Sequence, residues 1–176
     1  MNESSSPGLN RLYNLTVFAK LVYIHLMHKK VTPKELAPCA DCACFNIRKV
    51  SRVVTQIYDE AMQEVGLRGT QFTIMSNIAS YQSLTISVLA EKLVMDRTTL
   101  TRNLKPLEKQ GLLVIIPGMD RRTRAVELTA AGHKVLATAL PLWKQAQQKI
   151  TRFMGKARLN YLIDELRTLE KITDKY

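Results

Sequence analysis

The sequence predicts a mainly α fold with one small β-hairpin, and three observations carry this prediction. Apolar residues recur at three- and four-residue steps over most of the 176 residues, which is typical of amphipathic helices. At Leu112–Ile116 this period gives way to a short, mostly β-branched run. Pro117 and Gly118 then open a turn, after which apolar and polar residues alternate through Val126 and Leu128.

Two short helices are predicted before the hairpin. Thr85 is a candidate N-cap for the first, and Asp96 offers a side-chain oxygen to the free N–H groups of the second. Pro106 predicts a kink or early fraying in the second helix, because proline lacks the backbone N–H. Gly111 is a candidate C′ residue that ends it. The predicted buried faces consist of Ile86, Leu89, Ala90 and Leu93 in the first helix, and of Leu100, Leu104 and Leu107 in the second.

The exposed face of the second helix is predicted to be polar and cationic, and so is the hairpin tip. Between residues 96 and 124, seven Lys or Arg stand against three Asp or Glu, in a chain with a formal net charge of +11. Such charges often form a merely solvated surface, but their concentration here favours a winged helix-turn-helix that binds DNA. The helix contributes Arg97, Thr98, Thr101, Arg102 and Lys105, and the wing contributes Asp120, Arg121, Arg122 and Arg124.

These segments resemble the MarR family of bacterial transcription regulators. The resemblance rests on LAEKL, DRTTLTR and LEKQGL, and most specifically on the wing DRRTRAVELTAAG. It extends in pattern from about Cys44 to the C-terminus. It implies an obligate homodimer on double-stranded DNA, in which each subunit places one helix in the major groove and one wing in the minor groove.

Residue by residue, the resemblance makes Arg122 the minor-groove arginine and Asp120 its orienting carboxylate. The negative potential of a narrow A·T-rich minor groove, which attracts an inserted guanidinium, supports this assignment. Arg121 and Arg124 are expected to contact phosphates or solvent. The residues implied on the base-reading helix are Thr98, Thr99, Thr101 and Arg102.

Long amphipathic helices are predicted on both sides of the DNA-binding lobe. Their apolar stripes fit an intramolecular core, yet any face left outside the lobe would be costly unless a second subunit covered it. We therefore expect a dimerisation helix at 39–68, a winged helix-turn-helix lobe at 69–131 and C-terminal dimerisation helices at 132–176. A two-fold dimer spaces two recognition helices about one DNA turn apart, which requires a pseudo-palindromic operator.

Residues 1–38 lie outside the resemblance and are interpreted as an N-terminal extension. The segment 9–27 is apolar, but Arg11 and Lys20 interrupt it. Its uncharged runs are too short to span a bilayer, so no membrane association is expected. Two interpretations stay open: an extra helix that packs on the dimer, or a translation start at Met27, where the sequence changes to MHKKVTPKEL.

Three cysteines, Cys39, Cys42 and Cys44, lie within six residues before the first long helix. The first interpretation is a zinc site, in which these cysteines would supply three ligands and His25 or His28 the fourth. Neither histidine lies at a distance along the chain from the cysteines that is a recognised zinc pattern. A thiol switch is the second interpretation, because a helix N-terminus favours a thiolate and a neighbouring thiol can resolve a sulfenic acid. The third is that they are small buried residues without chemistry in a reducing cytosol.

Within the resemblance, Cys44 matches the reactive cysteine of the organic-hydroperoxide-sensing branch. Tyr58 matches one of the two tyrosines that hold this thiol in that branch. The position of the other tyrosine is Arg48 here, which departs from the pattern and weakens the implication of peroxide sensing. Cys39, Cys42, Cys44 and Tyr58 thus form the candidate redox or effector site.

The sequence contains no signature of an enzyme. Its three histidines, His25, His28 and His133, are far from any obvious Ser or Asp partner, and neither H-E-x-x-H nor G-x-S-x-G occurs. We expect no catalytic residues, no cofactor and no metal. The expected function is a cytoplasmic, homodimeric repressor that a small-molecule or oxidant effector releases from DNA. The alternative is a winged-helix architectural or protein-assembly module that binds nucleic acid without sequence specificity.

Overall fold

The structure is a computed structural model that describes residues 19–20, 30–81, 83–120 and 122–172. The chain divides into two compact units, residues 1–49 and residues 50–176. The first unit contains the short helix α1 (Pro33–Leu36), a 3₁₀ turn (Ala37–Asp41) and the start of α2 (Ala43–Met62). Thr32 caps α1 through a capping box with Glu35, in which each side chain binds the other's backbone N–H. The described residues of this unit are exposed to solvent.

The second unit holds the remaining elements. After α2 come a 3₁₀ turn (Gln63–Val65) and the helix α3 (Gly69–Tyr81). The central part consists of β1 (Leu84–Thr85), α4 (Ile86–Lys92), α5 (Arg97–Lys109), β2 (Leu113–Pro117) and β3 (Arg124–Leu128). The long helices α6 (Ala130–Met154) and α7 (Lys156–Glu170) follow. This arrangement confirms the predicted mainly α fold with a hairpin wing.

The apolar stripes read from the sequence form the core of the second unit. Helices α3, α4 and α5 pack against the strands of the small sheet, and their inward side chains are almost completely buried. Burial of such large aliphatic side chains contributes about 1.5–3 kcal/mol each before entropy is counted. The side chains without measurable exposure include Met62, Ile74, Met75, Ile78, Leu89, Leu100, Leu104, Leu107 and Val126.

The sheet has three antiparallel strands in the order β1-β3-β2. In the hairpin, Leu113 pairs with Leu128 and Ile115 pairs with Val126, so the register places Val126 in the core. The strand β1 was not predicted from the sequence, since two residues carry no periodicity. It forms because Leu84 pairs with Val126 of β3, and Thr85 then caps α4 by accepting the N–H of Val88 at 3.3 Å. The predicted N-cap at Thr85 is thereby confirmed.

Two prolines lie inside continuous helices. The early fraying predicted at Pro106 is wrong, because α5 continues to Lys109 and Gln110 N–H donates to the Pro106 carbonyl at 3.0 Å. Pro141 lies within the continuous helix α6. Gly111 ends the α5 segment with a φ of 69°, which confirms the prediction that it takes the left-handed conformation.

The close packing of α6 on the hairpin depends on Gly132. A Cβ atom at this position would lie 1.9 Å from the carbonyl oxygen of Leu112. Thr129 fixes the same junction, because its hydroxyl donates to the Gly111 carbonyl at 2.6 Å and accepts the Gly132 N–H at 3.0 Å. The first turn of α6 is therefore held against the end of the α5 segment. Of the helices that the structure describes, none is long and apolar enough to cross a membrane.

The turn between α4 and α5 contains a strained residue. Val94 has a φ of 49°, a left-handed conformation that is unfavourable for a β-branched side chain, and 67% of its surface is exposed. We expect Val94→Gly to raise the free energy of unfolding by about 1 kcal/mol, because strain is relieved and little burial is lost. Urea denaturation measures this change. Val94→Ala is the control, since it keeps a Cβ and should gain less; a loss of stability in Val94→Gly would contradict the prediction.

Candidate nucleic-acid interface

Helix α5 starts at a well-formed N-cap. The Asp96 carboxylate accepts the backbone N–H of Thr99 at 2.8 Å, as the sequence predicted. Hydrogen bonds from the hydroxyl and the backbone N–H of Thr99 lower the pKa of Asp96 below its ordinary value. The cap fixes where the helix begins and therefore which residues share its outer face.

The cap has a consequence for stability that depends on pH. Because the pKa of Asp96 is lowered in the folded state, the stability that the charged carboxylate adds is present at neutral pH and is lost as the pH falls through that lowered pKa. We expect Asp96→Ala to lower the melting temperature at pH 7 by about 2–4 °C. Asp96→Asn keeps a capping oxygen and should lose less. If the two variants melt alike at pH 7, the side-chain cap does not contribute.

The outer face of α5 carries the polar and cationic side chains that the sequence predicted, and they line one shallow depression. We call it the basic face; its residues are Arg97, Thr98, Thr101, Arg102 and Lys105. The opposite face is apolar, since Leu100, Leu104 and Leu107 are buried. Among the described residues, the one salt bridge joins Arg167 to Asp164 on α7, so the cations of the basic face are not neutralised by carboxylates.

Two threonines of α5 already use part of their hydrogen-bonding groups within the helix. The Thr101 hydroxyl donates to the carbonyl of Arg97 at 2.7 Å but keeps its acceptor lone pairs. Thr99 is half-buried, and its carbonyl accepts the Asn103 side chain at 2.8 Å. Thr98 is exposed, and it is its backbone that interacts with the Asp96 carboxylate, so its hydroxyl is available to a ligand. These differences rank Thr98 above Thr99 as a contact residue.

The wing tip, residues 118–123, is held by internal hydrogen bonds. Gly118 N–H donates to the Thr123 carbonyl at 2.9 Å, and Thr123 donates its N–H and its hydroxyl to the Asp120 carbonyl, both at 2.8 Å. Thr123 was not identified from the sequence, although a threonine after a Gly-x-Asp turn is a residue type that bonds back to the backbone. The described residues of the tip thus form a defined turn between β2 and β3.

Asp120 positions Arg122 through the main chain. Its carboxylate accepts the backbone N–H of Arg122 at 2.9 Å, so the contact is an Asx-type turn and not a bond to the guanidinium. This leaves the exposed guanidinium of Arg122 free to reach a ligand. Arg124 begins β3 and is also exposed. Arg121 lies outside the described residues.

A sequence profile of the MarR family matches residues 67–117. The crystal structure of the M. tuberculosis transcriptional regulator MosR in complex with DNA is 37% identical, with a TM-score of 0.66. The alignment covers 74% of this chain and 96% of MosR. The chain belongs to the MarR family. The resemblance inferred from the wing and helix motifs is therefore confirmed.

Two transcriptional regulators from Bacillus species are also similar in sequence to this MarR-family chain. An uncharacterized HTH-type transcriptional regulator of Bacillus cereus is 35% identical over 86 residues, which are 49% of this chain and 57% of that protein. The chain thus spans little more than half the length of this relative. The organic hydroperoxide resistance transcriptional regulator of Bacillus subtilis is 27% identical over 131 residues, 70% of this chain and 88% of that protein.

A crevice of about 300 Å³ lies in the second unit of this MarR-family chain, between α2, α3 and α6. Its wall contains the stacked rings of Phe72 and Trp143, whose centroids are 6.1 Å apart. Hydroxyl groups alternate with these apolar surfaces, and no charged side chain lines it. The lining residues are Val54, Thr55, Tyr58, Gly69, Thr70, Phe72, Thr73, Met95 and Trp143. The crevice suits a small neutral or aromatic molecule.

Tyr58 belongs to this crevice and is already hydrogen-bonded. Its hydroxyl pairs with the side-chain oxygen of Gln147 on α6, and burial raises the pKa of Tyr58. The neighbouring Asp59 accepts the N–H of Gly69 at 2.7 Å, which fixes the start of α3 beside α2. The phenol thus has a partner within the second unit. The sequence-derived assignment of Tyr58 to a thiol remains a prediction.

The three cysteines lie in the first unit at the junction between the 3₁₀ turn and α2. Cys39 is in the turn, Cys42 is its C-cap residue, and Cys44 is in the first turn of α2. All three are free thiols and exposed. Within the described ranges, no group of three or more Cys, His, Asp or Glu side chains is arranged to hold a metal ion. The candidate fourth zinc ligands, His25 and His28, lie outside the described residues.

Proposed function

We propose that this chain is a sequence-specific DNA-binding transcription regulator that acts as a homodimeric repressor. The observation that carries the proposal is the basic face of α5 beside a structured wing that exposes Arg122. Together they supply unpaired cations and hydroxyls on two elements that fit the two grooves of DNA. The DNA complex of MosR, a relative at 37% identity, supports the same ligand.

Dimerisation is proposed because the C-terminal helix leaves apolar side chains exposed. On α7, Leu162, Leu166 and Leu169 lie at i, i+4 and i+7 on one face, and their exposed fractions are 37%, 44% and 42%. A contiguous apolar stripe of this kind is costly in a monomer. We keep the division into a dimerisation helix at 39–68, a DNA-binding lobe at 69–131 and dimerisation helices at 132–176, with 1–38 as an extension. A two-fold dimer would bind a pseudo-palindromic operator in the cytoplasm.

The first proposed effector is a small molecule that occupies the crevice at Tyr58. The crevice joins α2, which belongs to the proposed dimerisation region, to α3 of the DNA-binding lobe. A ligand that fits it better in one arrangement of these helices would shift the spacing of the two recognition helices. Because both helices must enter successive grooves together, a change in spacing would release the operator.

The second proposed effector is an oxidant that acts on the cysteines. Their exposure and clustering support it, as does the hydroperoxide resistance regulator among the relatives. We expect cumene hydroperoxide to lower the operator affinity of the wild type at least tenfold and to leave the triple variant Cys39→Ser/Cys42→Ser/Cys44→Ser unchanged. Electrophoretic mobility shifts with and without oxidant measure this. An equal response of the two proteins would exclude the thiols as the sensor.

One experiment tests the regulator proposal itself. The purified full chain is used to select duplexes from genomic fragments, with and without oxidant, and the recovered fragments are footprinted. A protected palindrome with about one helical turn between half-site centres is expected. Equal affinity for unrelated duplexes at matched salt would instead support the architectural module, which binds phosphates without reading bases.

A further inference from the structure

We propose that Met119 is an apolar wedge that packs on the floor of the minor groove beside Arg122 and selects A·T pairs there. This role rests on the proposed function, in which the wing enters the minor groove of DNA. It goes beyond that function, because the DNA contacts assigned so far use cations and hydroxyls and leave Met119 without a role. Met119 would thus be a specificity-determining residue that carries no charge.

Met119 is the most exposed large apolar residue in the part of the chain that the structure describes. Its exposed fraction is 108%, whereas that of Phe153, the next in order, is 92%. Single exposed apolar residues are common on protein surfaces, but tight turns favour Gly, Asn, Asp and Ser. Because Met119 is not buried in the free chain, the free energy of removing its side chain from water is still available for binding.

The neighbours of Met119 hold the wing tip in one conformation. The Gly118 N–H donates to the Thr123 carbonyl at 2.9 Å, and the Thr123 N–H and hydroxyl both donate to the Asp120 carbonyl at 2.8 Å. Residue 118 has to be glycine, because a Cβ there would lie 2.2 Å from the hydroxyl oxygen of Thr123. The backbone is therefore fixed on both sides of Met119, which limits the entropy lost when the tip binds.

Met119 and Arg122 occupy corresponding places on the two sides of the hairpin. The last strand pair joins Pro117 to Arg124, and each of the two residues lies two positions beyond that pair on its own side. The Asp120 carboxylate, which accepts the Arg122 N–H at 2.9 Å, fixes the main chain between them. One apolar side chain and one guanidinium therefore belong to the same end of the wing.

The dimensions of B-DNA decide which parts of the wing can enter the minor groove. The groove is about 6 Å wide and about 7.5 Å deep. The backbones of two paired strands are about 4.8 Å apart before side chains are counted, so the body of the hairpin stays outside. Only side chains at the tip reach the floor. Methionine suits this position because it is unbranched and flexible, and it is among the residues that proteins insert as wedges into the minor groove.

An apolar side chain on the groove floor distinguishes A·T from G·C pairs. Both pairs present acceptors there, and a G·C pair adds the amino group of guanine. Methionine offers this donor only a weak acceptor and displaces its water, so the amino group is left poorly paired at a cost in free energy. The arginines of the wing supply attraction of another kind, because three of them stand against one aspartate in residues 120–124 and attract phosphates of any sequence.

Binding to three matched duplexes tests the wedge. They carry A·T, G·C or inosine·C pairs at the positions that the wing protects in a hydroxyl-radical footprint of the selected operator. Inosine·C keeps the major-groove groups of G·C but lacks the amino group. We expect Met119→Ala to lower affinity for the A·T and inosine·C duplexes at least about fivefold, and to change affinity for the G·C duplex little. Fluorescence anisotropy at matched salt measures this; an equal loss on all three duplexes, or no loss, would overturn the proposal.

Two variants of the same wing serve as controls. Met119→Leu stays apolar and should keep the preference for A·T and inosine·C. Val114→Ala also removes an apolar side chain, but Val114 pairs with Glu127 in the body of the hairpin and is 42% exposed, so the preference should not change. None of these substitutions changes a charge, so the slope of affinity against salt should equal that of the wild type, whereas Arg122→Ala should reduce it. If Met119→Leu behaves like Met119→Ala, an apolar side chain is not what the groove binds.

Failure of the wedge and failure of the regulator proposal have different signatures. If the wild type prefers a palindrome and Met119→Ala shows the same three affinities as the wild type, the wedge is wrong and the regulator proposal stands. If the wild type prefers no palindrome, the regulator proposal fails, and the wedge is judged on non-palindromic tracts of the same three pair types. If Met119→Ala changes sedimentation and not DNA affinity, the tip contacts protein, which also overturns the wedge.

Discussion

Replacement of Arg122 by alanine should weaken operator binding by about 1–3 kcal/mol, which corresponds to roughly 5- to 150-fold in affinity. The expected cause is the loss of a guanidinium that the wing turn presents to the minor groove. Asp120 fixes the main chain at this position through the N–H of Arg122, and this bond does not need the arginine side chain. The variant should therefore keep the wing tip and lose only the contact. Fluorescence anisotropy with the selected operator, at several salt concentrations, measures the effect.

Two further variants give this prediction its control. Arg122→Lys keeps the charge but not the planar fork, and it should recover only part of the affinity if the groove holds the guanidinium. Arg124→Ala removes a neighbouring exposed arginine from the start of β3, and it should act mainly through phosphates, with a smaller loss shared by operator and unrelated DNA. If Arg122→Ala binds the operator as tightly as the wild type at matched salt, Arg122 does not enter the groove.

The features that the sequence predicted well are those decided by nearby residues. The caps at Thr85 and Asp96 depend on a side chain and a backbone N–H three residues away. The left-handed Gly111 and the polar face of α5 likewise follow from local conformation and helical period. Such signals are contained within one turn of chain, so a single sequence suffices to locate them.

The features that the sequence did not predict depend on pairing between distant segments. Strand β1 exists because Leu84 meets Val126, forty-two residues away, and two residues cannot signal that pairing by themselves. The continuity of α5 through Pro106 depends on burial of Leu104 and Leu107, which outweighs the missing N–H. The bond from Tyr58 to Gln147 also joins segments that no local pattern connects. The grouping of polar and cationic residues on the basic face was predictable, whereas pairings between distant segments were not.

The second large effect is expected from breaking the proposed dimer. The double variant Leu162→Glu/Leu166→Glu places two charges on the exposed apolar stripe of α7, where the wild-type side chains are 37% and 44% exposed. Charges buried without partners at an interface are strongly unfavourable, so the variant should be monomeric in sedimentation velocity. A monomer holds one half-site, and the loss of simultaneous binding should lower operator affinity at least about 100-fold.

The matched control adds the same charge to polar positions of the same helix. Asn160→Glu/Thr168→Glu also introduces two carboxylates on exposed positions of α7. It should stay dimeric and lose only the small part of DNA affinity that added negative charge causes. Because Leu162 and Leu166 do not belong to the buried core, the test variant should keep its helical circular dichroism. A Leu162→Glu/Leu166→Glu protein that remains dimeric, or a monomer with wild-type operator affinity, would show that α7 does not join the two recognition helices.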